Sequence, residues 1–152
     1  MPLFLWNMMF NSILVVCIGN ICRSPTGERL LQHYLPDKRI CSAGVSALVG
    51  HPMDELAAEV ACEHGLDPRG HVARQLTPEM CRENDLILVM SQSNLEQICR
   101  ISPESRGRVM LYGKWQGNTE IPDPYMRERA VYEQVYSLLE TNTQAWVEAL
   151  QQ

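Results

Sequence analysis

Residues 13–31 constrain the fold more than any other segment, because an apolar run there leads through a short loop into a helical pattern. The run at residues 13–17 is unbroken, which is typical of a parallel strand buried on both faces. Ser24 followed by Pro25 is a helix-start signature, since a capping residue precedes a proline at the first helical position. The segment therefore predicts a strand that turns directly into the N-terminus of a helix.

A strand–loop–helix turn of this kind forms a binding site for an anion. Free backbone N–H groups point into the loop, and the helix dipole favours negative charge. Glycine and asparagine tolerate the strained or positive backbone angles that a curled loop needs. We expect a phosphate-binding loop made by Ile18, Gly19, Asn20, Ile21, Cys22 and Ser24.

Two side chains would turn this anion site into a reaction centre. Cys17 ends the predicted strand, where loop amides and a helix N-terminus would favour its thiolate form. Arg23 lies six residues further on, and its planar guanidinium can grip two phosphate oxygens. Ser24 can donate a hydrogen bond to the sulfur and favour it as a leaving group. This context favours attack of sulfur on phosphorus over a buried strand cysteine beside a surface arginine.

Two motifs resemble one known family. Residues 17–25, Cys-Ile-Gly-Asn-Ile-Cys-Arg-Ser-Pro, resemble the signature of the low-molecular-weight protein tyrosine phosphatases. Residues 121–125, Ile-Pro-Asp-Pro-Tyr, resemble the general-acid loop of that family. The likeness runs from about Asn11 to the C-terminus. It implies hydrolysis of phosphotyrosine through a phosphocysteine intermediate.

Asp123 is the predicted general acid. It follows the last predicted strand, in a loop that would overhang the same sheet edge as Cys17, and Pro122 and Pro124 restrict its backbone. An acid that protonates the leaving group speeds such a step by about 10²–10⁴-fold. The ionised Asp123 would then activate water for the second step. Pro-Asp-Pro is also ordinary turn chemistry, so the assignment depends on its pairing with the first motif.

The resemblance also implies a substrate cleft and supporting residues. Tyr125 would form one wall and stack on an aromatic leaving group. The other walls would be Ile18, Ile21 and Leu48, and Ser42, His71 and Asn20 match positions that brace the loop by hydrogen bonds. The alternative for His71 is a histidine that lies at the surface or only caps a neighbouring segment of the chain.

Leu48 and Met126 depart from the eukaryotic branch of that family. That branch carries an aromatic residue near position 48 and a second tyrosine after Asp-Pro-Tyr. With these two residues the chain resembles the Wzb-type bacterial group, which is associated with capsule and exopolysaccharide export. This likeness implies a phosphotyrosine protein as the partner, in particular a tyrosine autokinase.

Strands alternating with helices predict an α/β fold with a parallel sheet and right-handed crossovers. The resemblance implies four strands in the order 2-1-3-4, with helices on both faces and the phosphate-binding loop after strand 1. The strands are expected at residues 13–17, 39–43, 86–90 and 109–111. The helices are expected at residues 26–34, at 52–64, as a short helix opened by Thr77 and Pro78, as a helix capped by Ser91 that ends at Ile101, and at 127–150.

Composition narrows the classes of partner. With 152 residues the chain can form one domain with its own core. A net charge of −5 argues against general affinity for nucleic acid or an anionic membrane. A dianionic substrate must therefore be attracted by local positive potential from Arg23 and the loop amides. No cofactor or metal is expected, since these groups supply the charge stabilisation.

The six cysteines predict free thiols in a reducing cytoplasm. No second cysteine pair or histidine cluster accompanies the two in the loop to complete a zinc site. We expect small buried hydrophobic roles for Cys41, Cys62, Cys81 and Cys99.

Cys22 is a special case among these thiols. A curled loop could bring it within disulfide reach of Cys17, which requires Cα atoms within about 7 Å. We therefore predict that Cys22 reversibly traps a peroxide-oxidised Cys17. The alternative is that Cys22 only packs.

Residues 1–10 are predicted to be an N-terminal extension of unassigned function, ahead of a single domain at residues 11–152. The extension lacks a basic region and a small-residue cleavage site, and it is too short to span a membrane. We expect a cytoplasmic monomer or weak oligomer without stable membrane insertion.

Two other reactions remain open on the sequence alone. Arsenate reductases share this loop and fold but need further cysteines to relay a disulfide, and Cys81 and Cys99 are widely spaced. A non-hydrolytic phosphocysteine carrier or phosphotyrosine-binding module is the second alternative. The presence of both Arg23 and Asp123 argues against the carrier.

Overall fold

Four parallel strands form the central sheet of the computed structural model, which describes residues 10–151. The strands lie in the order β2-β1-β3-β4, which confirms the predicted sheet. Their bounds are β1 Ser12–Cys17, β2 Arg39–Gly44, β3 Leu86–Val89 and β4 Val109–Leu111. All residues of β1 and β3 are buried. Their unbroken apolar runs follow from this position, because helices cover both faces of the sheet.

Five α-helices and one 3-10 helix surround the sheet in the described part of the chain. Their bounds are α1 Arg23–Tyr34, α2 Glu55–Glu63, α3 Pro78–Glu83, α4 Gln92–Ile101, the 3-10 helix Pro103–Arg108 and α5 Arg129–Gln151. Helices α1, α2 and α5 contribute to one hydrophobic cluster, and α3 and α4 contribute to a second one. Alternate residues of β1 belong to the two clusters, as expected for side chains on opposite faces of a sheet. Helices on both faces are therefore confirmed.

Several helix starts differ from the predictions for local reasons. Helix α1 begins at Arg23, because the phosphate-binding loop turns directly into it. Helix α2 begins at Glu55, because the Asp54 side chain caps it by accepting a hydrogen bond from the Ala57 N–H. Helix α5 begins two residues later than expected, since a turn closed by the Arg127 N–H and the Pro124 carbonyl (2.9 Å) precedes it.

The buried face of α5 is more polar than the predicted apolar stripe. Asn142 and Thr143 are buried, whereas Val131, Leu138 and Ala145 are only partly covered. The Thr143 hydroxyl bonds to that of Tyr112 in the core, which explains why a polar side chain is accommodated there.

The predicted extension at residues 1–10 lies outside the described residues except for Phe10. That side chain is 7% exposed and packs in the cluster that contains Cys17. Hydrophobic packing therefore reaches at least to Phe10 at this end of the chain.

Candidate active site

The loop after β1 places Cys17 at the carboxyl edge of the sheet. Cys17 is 2% exposed and is followed by a curled segment in which Asn20 has a positive φ of 59°. Cys22 is the N-cap of α1, and no side chain caps this helix end. The first N–H groups of α1 are therefore free of a side-chain cap, as a phosphate-binding helix N-terminus requires.

Ser24 contacts the Cys17 sulfur instead of capping α1, so its predicted role as a capping residue is wrong. Its Oγ lies 2.9 Å from Cys17 Sγ. The same Oγ accepts a hydrogen bond from Asn20 Nδ2 at 2.8 Å. Because that contact uses the oxygen as an acceptor, the hydroxyl hydrogen is available for the sulfur.

Asn20 is the centre of a bracing network behind the loop. Its Nδ2 also donates to Ser42 Oγ at 3.0 Å. Its backbone carbonyl accepts a hydrogen bond from His71 Nε2 at 2.6 Å. Its Oδ1 accepts from the Arg74 N–H at 2.9 Å. The structure thus brings Ser42 and His71 to Asn20 as expected, and His71 is buried rather than at the surface.

Two charged residues of this network were missed in the sequence. Arg74 Nε donates to the Ser42 carbonyl at 2.9 Å. Glu28 lies behind the loop, where burial raises the pKa of its carboxyl and a hydrogen bond with Ser42 opposes that rise. Nothing in the local sequence separates Arg74 or Glu28 from ordinary surface charges, because their roles depend on contacts distant along the chain.

Arg23 is buried at the first position of α1, with 4% of its surface exposed. Its Nη1 donates to the Ile121 carbonyl at 2.8 Å, and its Nη2 lies 3.7 Å from Asp123 Oδ2. Its buried Nε has no hydrogen-bond partner among residues 10–151. A buried guanidinium N–H without a partner is costly, so a phosphate oxygen at this point would satisfy it.

Asp123 lies on the same edge of the sheet as Cys17. We call residues 121–126 the acid loop; it is anchored where the Ile121 N–H donates to the Met90 carbonyl at 2.9 Å, just beyond β3. Asp123 Oδ1 accepts from the Tyr125 N–H at 3.1 Å, and the side chain is 42% exposed. The carboxylate is therefore held beside Arg23 while remaining open to solvent.

A cleft of about 170 Å³ opens above the buried Cys17. Ile18, Leu48 and Tyr125 are the more exposed apolar residues around it, at 43%, 37% and 44%. The Leu48 N–H donates to the Gly19 carbonyl at 3.0 Å, which fixes this wall to the loop. The cleft is lined by Cys17, Ile18, Gly19, Ile21, Cys22, Arg23, Ser46, Leu48, Asp123 and Tyr125. Of these, only Ser46 was not singled out from the sequence.

Gly44 supports the loop through the absence of a side chain. It pairs with Cys17 in the sheet, and a Cβ at this position would lie 2.4 Å from the Ile18 carbonyl oxygen. We expect Gly44→Ala to lower the free energy of unfolding by about 1–3 kcal/mol and to reduce activity, because loop backbone must move. Thermal unfolding and steady-state kinetics measure both effects.

Gly107→Ala is the matched control, since a Cβ there meets no atom within 4 Å. Its stability should change by no more than about 0.5 kcal/mol. If Gly44→Ala were as stable and as active as this control, the close approach of β2 to the loop would contribute neither to stability nor to activity.

The other cysteines are less uniformly buried than expected. Cys81 and Cys99 are buried, Cys41 is partly buried and Cys62 is exposed. The prediction for Cys62 is wrong because it lies on the outer face of α2. Burial, followed by the nearby Asp54 carboxylate, raises the pKa of Cys22 far above its usual range. Cys22 is therefore a neutral thiol near neutral pH.

Neither a metal centre nor a membrane-spanning segment is found within residues 10–151. No group of three or more His, Cys, Asp or Glu side chains there could hold a metal ion. None of the helices in that range is long and apolar enough to cross a membrane.

Comparison with known proteins decides the family. The family profile described as low molecular weight phosphotyrosine protein phosphatase matches residues 12–152. The chain belongs to this family. The phosphatase is 56% identical over 142 residues to the probable low molecular weight protein-tyrosine-phosphatase AmsI of Erwinia amylovora, with 93% of this chain and 99% of AmsI covered. It is 53% identical to Wzb of Escherichia coli K12, over 93% of this chain and 97% of Wzb.

Solved structures agree with this assignment. The crystal structure of the tyrosine phosphatase Wzb from Escherichia coli K30 in complex with sulphate has a TM-score of 0.92 to the phosphatase. The two are 54% identical, and the match covers 93% of this chain and 99% of that one.

Proposed function

We propose that this phosphatase hydrolyses phosphotyrosine on proteins through a phosphocysteine intermediate on Cys17. The observation that carries the proposal is the convergence of three side chains distant in sequence. Cys17, Arg23 and Asp123 line one cleft, and the Arg23 guanidinium lies 3.7 Å from the Asp123 carboxylate. Each supplies a different requirement of phosphoryl transfer: a nucleophile, charge stabilisation and a proton donor.

In the first step the Cys17 thiolate attacks phosphorus, and the bond to the phenolic oxygen breaks. Arg23 and the backbone N–H groups of the phosphate-binding loop hold the other phosphate oxygens. Asp123, in its protonated form, gives its proton to the departing phenolate. The products of this step are phosphocysteine and a free tyrosine side chain.

In the second step water replaces the sulfur. The ionised Asp123 takes a proton from the water as its oxygen attacks phosphorus, and the sulfur–phosphorus bond breaks. Ser24 stabilises the departing thiolate through its hydroxyl, which lies 2.9 Å from the sulfur. Inorganic phosphate leaves and Asp123 is protonated again, so the cycle needs no net proton from elsewhere.

The cleft favours phosphotyrosine over shorter phosphorylated side chains. Cys17 lies at its floor, whereas the apolar rim is exposed, so a substrate must reach past Ile18, Leu48 and Tyr125. We expect the aromatic ring of phosphotyrosine to pack against these apolar walls, which the shorter phosphoserine side chain cannot do.

The physiological substrate we propose is a tyrosine autokinase of capsule or exopolysaccharide production, in the cytoplasm. The support is the likeness to AmsI and Wzb. Leu48 in the cleft wall and Met126 in the acid loop, which depart from the eukaryotic branch, add to it. The test compares a tyrosine-phosphorylated autokinase tail with a matched phosphoserine peptide. We expect kcat/KM to be at least about 100-fold higher for the tail. Equal rates on the two peptides would contradict the proposed specificity.

The alternative chemistries receive less support from the structure. Cys81 packs in the hydrophobic cluster on the opposite face of the sheet from the one that contains Cys17. It is therefore unsuited to a disulfide relay of the arsenate reductase kind. Continuous release of nitrophenolate from p-nitrophenyl phosphate would exclude a carrier or binding module, which would stop after one equivalent.

Oxidation by peroxide provides a separate prediction for Cys22. Peroxide would convert the Cys17 thiolate to sulfenic acid, and the Cys22 thiol would then attack that sulfur, releasing water and forming a disulfide. We expect mild peroxide to inactivate the wild type reversibly, with activity restored by dithiothreitol. Peptide mass spectrometry should show a 17–22 linkage.

Cys22→Ser is the diagnostic variant for this prediction. It should be inactivated irreversibly, because its Cys17 proceeds to sulfinic acid. Over-oxidised Cys17 without the linkage in the wild type would show that Cys22 has no protective role.

A further inference from the structure

The acid loop is anchored where it begins. The Ile121 N–H donates to the Met90 carbonyl at 2.9 Å, and the Ile121 carbonyl accepts from Arg23 Nη1 at 2.8 Å. The first residue of the loop is therefore fixed to the end of β3 and to the phosphate-binding arginine. Asp123 lies two residues further on, and its side chain is 42% exposed. Its position thus also depends on what holds the other end of the loop.

The second half of the acid loop is a strained turn. The Arg127 N–H donates to the Pro124 carbonyl at 2.9 Å, which closes the turn. Inside it Met126 has a positive φ of 64°, which is unfavourable for a residue with a Cβ. Pro124 and Tyr132 line a small cavity, so packing beneath the turn is incomplete. We therefore expect a contact from beyond the turn to hold this end of the loop.

Arg129, the first residue of α5, provides such a contact with α2. Its Nη1 donates to Glu59 Oε2 at 3.2 Å, and its Nη2 donates to the carboxylate of Glu63. Its Nε donates to Glu133 Oε1 at 3.0 Å, one turn along α5. All three guanidinium nitrogens are used, so the planar group is fixed in orientation between the two helices.

Helix α2 connects this contact to the phosphate-binding loop. The Asp54 side chain caps α2 by accepting a hydrogen bond from the Ala57 N–H at 3.3 Å. The Asp54 N–H donates to the Ile21 carbonyl at 2.9 Å. Helix α2 is therefore attached to the phosphate-binding loop at its start and to α5, through Glu63, at its end.

We propose that Arg129 is a positioning residue: by holding the start of α5 against α2, it fixes the acid loop, and with it Asp123, relative to the phosphate-binding loop. Arg129 lies three residues beyond the acid loop and is not among the residues that line the cleft. It therefore acts through Asp123 rather than on the substrate. The inference rests on the proposed role of Asp123 as general acid.

The arrangement of charges indicates how the contact responds to its loss and to salt. A single exposed ion pair contributes little, but here one guanidinium binds three carboxylates. Without Arg129, the carboxylates of Glu59, Glu63 and Glu133 would repel one another and move the start of α5 away from α2. The three side chains are 50%, 58% and 53% exposed, so dissolved salt screens their attraction to the arginine.

The test is Arg129→Gln, assayed with two aryl phosphates of different leaving-group quality. With phenyl phosphate, whose leaving group needs a proton, kcat/KM should fall by about fivefold, since a small displacement of a catalytic group is costly. With p-nitrophenyl phosphate the fall should be less than about twofold. Equal losses with the two substrates, or no loss with either, would overturn the positioning role.

Arg82→Gln is the matched control. Arg82 on α3 also binds exposed carboxylates, those of Glu79 at 3.2 Å and Glu104 at 3.4 Å. Helix α3 packs on the opposite face of the sheet from the hydrophobic cluster that contains Cys17. Both kcat/KM values of this variant should stay within about twofold of the wild type. The same selective loss as in Arg129→Gln would show that the effect is not specific to α5.

Ionic strength provides a readout that needs no substitution in the wild type. The ratio of kcat/KM for phenyl phosphate to that for p-nitrophenyl phosphate should fall by about twofold or more between about 0.05 M and about 0.5 M sodium chloride. Both substrates carry the same phosphate group, so screening of substrate binding cancels in the ratio. In Arg129→Gln the ratio should not fall. A wild-type ratio that is independent of salt would contradict the role of these ion pairs.

The double variant separates the inference from the proposed function. In an Asp123→Ala background, Arg129→Gln should add no further loss with phenyl phosphate, because the group it positions is gone. If Asp123→Ala lowers activity selectively with phenyl phosphate but Arg129→Gln does not, the positioning role alone is overturned. If Asp123→Ala shows no such selectivity, the general-acid assignment and the positioning role both fail.

Discussion

Replacing Cys17 by serine is expected to reduce turnover of p-nitrophenyl phosphate by about 10⁴-fold or more while the enzyme still binds oxyanions. A serine hydroxyl at this position is un-ionised near neutral pH and has no general base beside it, so the attack on phosphorus is lost. The loop amides and Arg23 should remain in place, because serine is nearly the same size and Cys17 is buried at the end of β1. Steady-state kinetics and calorimetric titration with vanadate or phosphate measure the two properties separately.

Cys62→Ser provides the control for this experiment. Cys62 is an exposed free thiol on α2, outside the cleft. Its variant should retain activity within about twofold, since surface substitutions away from a site have small effects. Comparable turnover in Cys17→Ser and Cys62→Ser would remove Cys17 from the mechanism. Loss of both turnover and oxyanion binding in Cys17→Ser would instead indicate a disrupted loop.

Replacing Asp123 by alanine is expected to lower kcat/KM for phenyl phosphate by about 10²–10⁴-fold, the usual contribution of a general acid. The loss should be much smaller for p-nitrophenyl phosphate, because nitrophenolate departs without a proton. A series of substituted phenyl phosphates should therefore show a steeper dependence on leaving-group pKa in the variant than in the wild type.

Asp123→Asn distinguishes proton donation from loop shape. The asparagine side chain can still accept the hydrogen bond from the Tyr125 N–H that Asp123 Oδ1 receives at 3.1 Å. It cannot deliver a proton to the leaving group, so its loss with phenyl phosphate should match that of the alanine variant. An asparagine variant with near wild-type activity would contradict the assignment of Asp123 as the acid.

Local features of the sequence predicted the parts of the site that are close together along the chain. The apolar run and the helix start that follows it placed Cys17 and Arg23 at the correct junction, because strand and helix each follow from short-range patterns. An apolar run likewise predicted β3, and a capping residue predicted the start of α4 at Ser91. The order of the strands has no such local signal, and only the family resemblance predicted it.

Contacts distant along the chain could not be predicted in this way. Ser24 is a good capping residue by type, yet it contacts Cys17 because Cys22 takes the N-cap position. Gly44 is one of several small residues around the end of the second strand, and only the fold shows which one lies against the Ile18 carbonyl.

The most direct test of the mechanism is to trap the covalent intermediate. In Asp123→Ala mixed with p-nitrophenyl phosphate, nitrophenolate should appear in a burst of about one equivalent per enzyme, because formation of phosphocysteine stays fast while its hydrolysis lacks a base. Acid quenching within the burst, followed by peptide mass spectrometry, should place a single phosphoryl group on Cys17. A phosphoryl group on another residue, or turnover without any phosphorylated enzyme, would contradict the account.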